Sequence, residues 1–478
     1  MFKSDTICAI ATGLGKSAIG MIRVSGPDAI SICDDIFEGK KKLSEMNTFT
    51  AAFGRIVDNK GAESEQIGKE VLDEAIVLVM KAPHTYTTED TVEIDLHGGT
   101  LVIRKVVDLL VRCGVRVAEP GEFTKRAFLG GRIDMTEAEA VMDVINAETD
   151  RALKTSVNQL TGKLREEIAD IREKILYQTA FIESAIDDPE NYSLDGYGDK
   201  LVDELNAIQS RIDHLLSTAD EGRLIQEGIR TAIVGRPNVG KSSILNLLLG
   251  EERAIVTDIE GTTRDTLEEY VNIDGILLKL IDTAGIRDTS DVVEKIGVDK
   301  ARSSMEDADL VMLILDGSQE LTDSDRSLID EVTGRKAVYI INKSDKEQIL
   351  TEEKLVEILR NEEHNNPVQS DEKFRVVEIS AKTSAGLDNL RDVISDMFFH
   401  EELDYNDQLY ITKARHKSSL VEAGKSLERV MQSIEDGLGE DFYTIDLMAA
   451  YESLGEIIGE TLEDDLADKI FSEFCMGK

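Results

Sequence analysis

A chain of 478 residues is too long for one hydrophobic core and points to about three domains. Its composition, 41% hydrophobic and 31% charged with six prolines, is that of a helix-rich globular protein. The formal net charge of -41, from 95 acidic against 54 basic residues, argues against autonomous binding to bare nucleic acid or an anionic membrane, while a local basic patch or a basic partner stays compatible with it.

Cys8, Cys33, Cys113 and Cys475 stand far apart, with no CxxC pair or Cys/His cluster. That spacing argues against a structural zinc site and fits a reducing compartment better than a disulfide framework. The first twenty residues hold no long apolar core or cleavage signal, and no segment reaches the ~20 apolar residues of a membrane span. A cytoplasmic protein with no membrane association is expected.

Along the first ~120 residues short apolar runs alternate with turn signals. Ala18 to Gly26 and Asp73 to Pro83 predict strands, and Thr100 to Gly114 predicts an amphipathic helix stopped by Gly114. From Thr136 the apolar spacing becomes helical: Leu160, Leu164, Ile168, Ile171, Ile175 and Ile182 form one stripe. Asp187-Asp188-Pro189 breaks the run, and Leu201, Leu205, Ile208, Ile212 and Leu215 start another helix. Apolar strands beginning at Ile229, Ile276, Ala308, Lys336 and Arg375 then alternate with helical stretches, the texture of a buried parallel sheet. In the tail, Leu447, Leu454, Ile457, Ile458, Leu462, Leu466 and Ile470 make a further stripe. The expected fold is multidomain α+β: an N-terminal α+β domain (1–120), an α-helical domain in two parts (121–224 and 386–478), and an α/β P-loop domain (225–385) inserted in it.

The inserted domain carries the chemistry. Gly235-Arg-Pro-Asn-Val-Gly240-Lys241-Ser242 matches G-x-x-x-x-G-K-[ST] between a strand and a helix. Glycines there let backbone N–H groups turn toward phosphate oxygens, Lys241 supplies a point charge, Ser242 offers a hydroxyl to Mg²⁺, and the helix N-terminus adds partial positive charge. Asp282-Thr283-Ala284-Gly285 closes a strand; its carboxylate can reach Mg²⁺ through water, and the Gly285 N–H can sense a γ-phosphate. Asn342-Lys343-Ser344-Asp345 closes another, and Asp345 can accept from guanine N1–H and the 2-amino group, a pairing adenine lacks. Ser380-Ala381-Lys382 would hold guanine O6 through backbone N–H. In this order on consecutive strands, the motifs predict a guanine-nucleotide-binding GTPase. Where small signalling GTPases carry a water-orienting glutamine this chain has Ile286, so its hydrolytic machinery must differ.

The chain resembles the MnmE (TrmE) family of tRNA modification GTPases over essentially its full length. The marks are GRPNVGKSS, Ile255 to Asp265, DTAGIRD, Pro120 to Phe128, and Phe474-Cys475-Met476-Gly477-Lys478. The resemblance implies a component that binds GTP and GDP and acts with an MnmG-like FAD protein, as a heterotetramer, to place an aminomethyl-type or carboxymethylaminomethyl group on C5 of wobble uridine 34 in tRNA. It also implies an N-terminal homodimerisation domain that binds 5-formyl-tetrahydrofolate. GTP contacts carried over are Asn238, Val239, Gly240, Lys241, Ser242, Ser243, Thr257, Asp258, Ile259, Glu260, Gly261, Thr262, Thr263, Asp282, Thr283, Ala284, Gly285, Asn342, Lys343, Asp345, Ser380, Ala381 and Lys382. Ser242 and Thr263 would hold Mg²⁺, while Asn238, Thr257, Ile259 and Thr262 would hold K⁺. Glu294, by itself a charge at a helix start, matches the family's water-activating glutamate. Arg23, Glu93, Arg132 and Lys478 match folate contacts, Arg132 standing where the family pattern carries a lysine. Cys475 is open to a catalytic or a structural reading.

A regulatory GTPase in ribosome assembly shares the same nucleotide motifs. Such switches bring a basic RNA-binding module after the G domain, whereas this chain from Gly386 onward is acidic and helical, which favours tRNA modification. A membrane-remodelling GTPase would need a basic or apolar membrane face, and none is legible.

Overall fold

The structure, a computed structural model, describes residues 5–13, 15–59, 69–251, 269–273, 275–281, 305–363, 374–399, 408–460, 464–472, 474 and 477. Two compact units emerge: residues 1–142, 159–198 and 425–478 form the first, and residues 143–158 and 199–424 the second.

In the first unit, β1 (Ile7–Ile10), β2 (Ile19–Ser25), β3 (Phe37–Gly39), β4 (Thr50–Asp58), β5 (Glu70–Met80), β6 (Thr91–His97) and β7 (Arg116–Val117) make one sheet, ordered β3-β4-β5-β6-β2-β1-β7. Alternation along each strand sends Ile22, Val24, Val77, Val79, Val92 and Ile94 to one face, where helices α1 (Ala29–Ile36) and α2 (Thr100–Arg112) cover them. Burying Ile103, Val106, Leu109 and Leu110 of α2 stabilises this layer by about 1.5–3 kcal/mol per side chain. α2 stops where the sequence predicts: Cys113 N–H returns to Leu109 O, and Gly114 takes φ +99°. The alternation sends Arg23 and Glu93, paired in register across β2 and β6, to the other face.

The helices that follow are α3 (Glu122–Leu129), α4 (Met135–Asn146), α5 (Asp150–Leu160), α6 (Lys163–Asp187), α7 (Tyr197–Ser217) and α8 (Ala219–Glu227). The single stripe expected from Leu160 to Ile182 is two helices, because Gly162 adopts φ +82° between α5 and α6. Leu164, Ile168, Ile171, Ile175 and Ile182 then line the buried face of α6.

The second unit holds a six-stranded sheet ordered β13-β12-β11-β8-β10-β9. Its strands are β8 (Ile229–Val234), β9 (Glu269–Ile273), β10 (Ile276–Leu280), β11 (Leu310–Asp316), β12 (Ala337–Asn342) and β13 (Arg375–Ile379). All neighbours run parallel except β9 with β10. Helices α9 (Lys241–Glu251), α10 (Asp323–Val332), α11 (Glu352–Glu363) and α12 (Leu387–Phe398) belong to it. Every residue of β11 is buried, as its unbroken apolar run requires in a parallel sheet with both faces covered. The edge strand β9 was not expected from the sequence, although Asp274-Gly275 before β10 is a hairpin-turn dipeptide.

Along the chain follow α13 (Ala414–Glu435), α14 (Glu440–Ile458) and α15 (Asp464–Ser472). The tail stripe is also divided: α14 ends at Gly459, φ +87°, where a Cβ would stand 2.9 Å from Met135 Cβ. Among the described residues no helix is long and apolar enough to cross a membrane.

Candidate functional site

β8 delivers the phosphate-loop motif at its C-terminal end. Gly235 (φ +152°) and Gly240 (φ +103°) occupy backbone conformations closed to side chains; a Cβ would stand 2.6 Å from Ile314 O at the first and 2.2 Å from Asn342 Nδ2 at the second. Asn238, at φ +66°, is a non-glycine residue in the left-handed region, a type that tolerates it. Val239 anchors the loop in the core, being 1% exposed. Lys241 opens α9, and its Nζ donates to Gly235 O (2.5 Å) and Arg236 O (3.0 Å). Burial pushes its ammonium pKa down, and an anion bound at this loop would offset that desolvation of the charge. Ser242 and Ser243 lie on the first turn of α9, half-buried and exposed respectively.

The base-side motifs close on this loop. Asn342 ends β12 with its side chain 2% exposed; Nδ2 donates to Val239 O (2.8 Å) and Oδ1 accepts from Ala381 N–H (3.3 Å). One amide thus ties three loops together. Lys343, at φ +68°, donates to Asn238 O (3.1 Å) and to Asp316 Oδ2 (2.6 Å). Asp345 Oδ1 accepts from Ser380 Oγ (2.8 Å), a bond that holds its carboxyl below the ordinary value. Lys382, two positions after Ser380, is exposed.

Asn238 to Ser243, Asn342, Lys343, Asp345 and Ser380 to Lys382 therefore meet at the C-terminal edge of one sheet, the crevice where open α/β sheets bind ligands. Thr257, Asp258, Ile259, Glu260, Gly261, Thr262, Thr263, Asp282, Thr283, Ala284, Gly285 and Glu294 lie outside the described residues. Asp316 was missed from sequence. Burial pushes its carboxyl up, but hydrogen bonds from Lys343 and Ser318 outweigh burial and hold it low. Its signal was an acid closing an otherwise apolar strand.

In the first unit, Arg23 pairs with Glu93 (Nη2 to Oε1 2.8 Å) and donates to Gly477 O (3.3 Å). Its guanidinium lies 5.5 Å from the Tyr86 ring centroid and 5.7 Å from that of Phe123. Arg132 stacks on the same Tyr86 at 4.7 Å and donates to Tyr86 O (3.1 Å). A planar fork uses that ring face and carbonyl together, where a lysine would offer only a point charge. A cleft of about 550 Å³ is lined by Phe49, His84, Tyr86, Thr88 and Arg132 among others, but not by Arg23 or Glu93. Gly477, φ +89°, passes so near β1 that a Cβ would stand 2.4 Å from Ile10 O. Lys478 and Cys475 lie outside the described residues. Of Lys125, Arg126 and Arg132, which stand near one another in sequence, Arg126 is paired with Asp5, Glu89 and Glu122.

Two family models match: "GTP-binding protein TrmE N-terminus" over residues 6–132 and "MnmE helical domain" over residues 135–475. A tRNA modification GTPase MnmE of Lachnoclostridium phytofermentans is 49% identical, covering 100% of both chains. That of Streptococcus thermophilus is 47% identical over 99% of this chain and 98% of its own, and that of Bacillus cereus 45% identical over 99% of each.

Proposed function

The chain belongs to the MnmE family of tRNA modification GTPases, and from that premise we propose that its GTP turnover drives the modification of C5 of wobble uridine 34 in concert with an MnmG-like flavoprotein. The tRNA half of this reading is supported by the family, and the nucleotide half by the amide of Asn342, which ties the phosphate loop at Val239 to the base-side loop at Ala381. Asp345, oriented by Ser380, would accept from the guanine edge, and a base lacking that edge would be rejected by about 10⁴.

In the proposed cycle Lys241 binds the β/γ phosphates, and the loop N–H groups orient them toward attack. Glu294 activates the water and takes its proton. By donor chemistry alone the residues named suit the implied ions. Ser242 offers a hydroxyl oxygen, joined by Thr263, for Mg²⁺. Lys343 occupies the backbone carbonyl of Asn238, which leaves the side-chain carbonyl, with Thr257, Ile259 and Thr262, for K⁺. Bound K⁺ would supply positive charge where the β–γ bridge becomes negative.

The surroundings of Tyr86 are proposed as the folate site, with Arg23 and Arg132 suited to carboxylates and Glu93 to a pterin N–H edge, completed by Lys478 and formed in a homodimer. Hydrolysis should be faster in KCl than in matched NaCl, and Asn238→Ala should abolish that difference while GDP binding persists. Equal rates in the two salts would refute the ion assignment.

A further inference from the structure

The β9–β10 hairpin is the edge of the nucleotide-binding sheet. In sequence it joins the Gly261-Thr262-Thr263 motif, which precedes β9, to Asp282, which follows β10. Its turn is built on Asn272. The side-chain Oδ1 accepts from Gly275 N–H (2.7 Å), and Gly275 takes φ +89° to complete a tight reversal. The same side chain has a second bond, Nδ2 donating to Glu148 O (3.1 Å).

Glu148 is the residue before Thr149, whose hydroxyl accepts from Ala152 N–H (3.1 Å) and caps α5. The first turn of α5 is in turn part of the sheet's own core. Ala152 is 1% exposed among Ile229, Val271 and Leu278, and the Arg151 guanidinium stacks 4.9 Å from the Phe399 ring centroid.

We propose that Asn272 is a positioning residue that couples the hairpin between the two nucleotide-sensing segments to the α4–α5 junction. A displacement of the hairpin would pull on the Glu148 carbonyl and so on the cap of α5. The inference rests on the GTP cycle proposed above, and it adds a specific mechanical link.

Asn272→Asp separates the two bonds. A carboxylate still accepts from Gly275 N–H, but its other oxygen faces the Glu148 carbonyl and repels it. Asn272→Ser keeps a turn acceptor on an arm too short to reach Glu148, and serves should the aspartate variant fold poorly. The measurement is hydrogen–deuterium exchange of residues 146–153 in the full chain, with GDP and with a non-hydrolysable GTP analogue. The same samples are assayed for GTP hydrolysis and thermal melting.

In the wild type, exchange should differ between nucleotides by roughly three- to tenfold, the worth of one hydrogen bond. In the variants that difference should vanish while kcat is kept and Tm falls by no more than about 4 °C, the loss of one hydrogen bond. A nucleotide difference that persists in the variants, or that is missing from the wild type, would overturn the coupling. Failure of the underlying reading shows separately, as a wild-type chain that does not hydrolyse GTP.

Discussion

Asp345 and Ser380 come from loops 35 positions apart, and the hydroxyl bond between them lowers the carboxyl pKa. A carboxyl with a depressed pKa contributes above its ordinary value and is lost only as pH falls through the lowered one. Guanine affinity should therefore survive acidification through the ordinary carboxylate range, and Ser380→Ala should move the acid limb of GDP binding upward. Asp345→Asn should weaken GDP binding and admit xanthine nucleotides, read by competition with a fluorescent nucleotide; continued exclusion of xanthine would refute the role. Asp345, Asn342 and Lys241 were legible because their chemistry demands those side chains at fixed offsets from strand ends. The bond from Asn272 to Glu148 was not, since nothing in a local pattern says which distant carbonyl a turn asparagine will reach.

Helix and strand periodicity gave the elements, and breaks were read less well than runs. Gly162 and Gly459 stop helices because they adopt positive φ, yet in sequence each sits inside a stretch whose apolar spacing continues past it. A glycine within a stripe is tolerated often enough that spacing outweighs it in a local reading. The pairing of α6 with α14 was likewise invisible. There Arg172, 5% exposed, stacks 4.0 Å from the Tyr451 ring centroid, donates to Tyr451 O and pairs with Glu460 (2.6 Å). Arg172→Ala should lower the unfolding free energy by about 2–4 kcal/mol, through lost packing, stacking and hydrogen bonding, and Arg172→Met should restore part of it by refilling the volume. Urea denaturation of both variants checks this, and an alanine variant as stable as wild type would contradict it.

The charge of -41 and the local neutralisation of Arg126 bear on how the whole molecule meets tRNA. Affinity for a polyanion follows the phosphates that Lys and Arg neutralise, and it falls with salt. The chain alone should bind tRNA weakly, with a tight, salt-sensitive complex only when a more basic partner is present; submicromolar binding by the chain alone at near-physiological salt would contradict this. The family's work on tRNA is tested most directly by nucleoside analysis of tRNA from cells lacking this chain, then from the same cells carrying it again. The wobble-uridine modification should disappear on deletion and return on complementation with the wild type but not with Asp345→Asn. An unchanged nucleoside profile accompanied by a ribosome-assembly defect would contradict the proposed function.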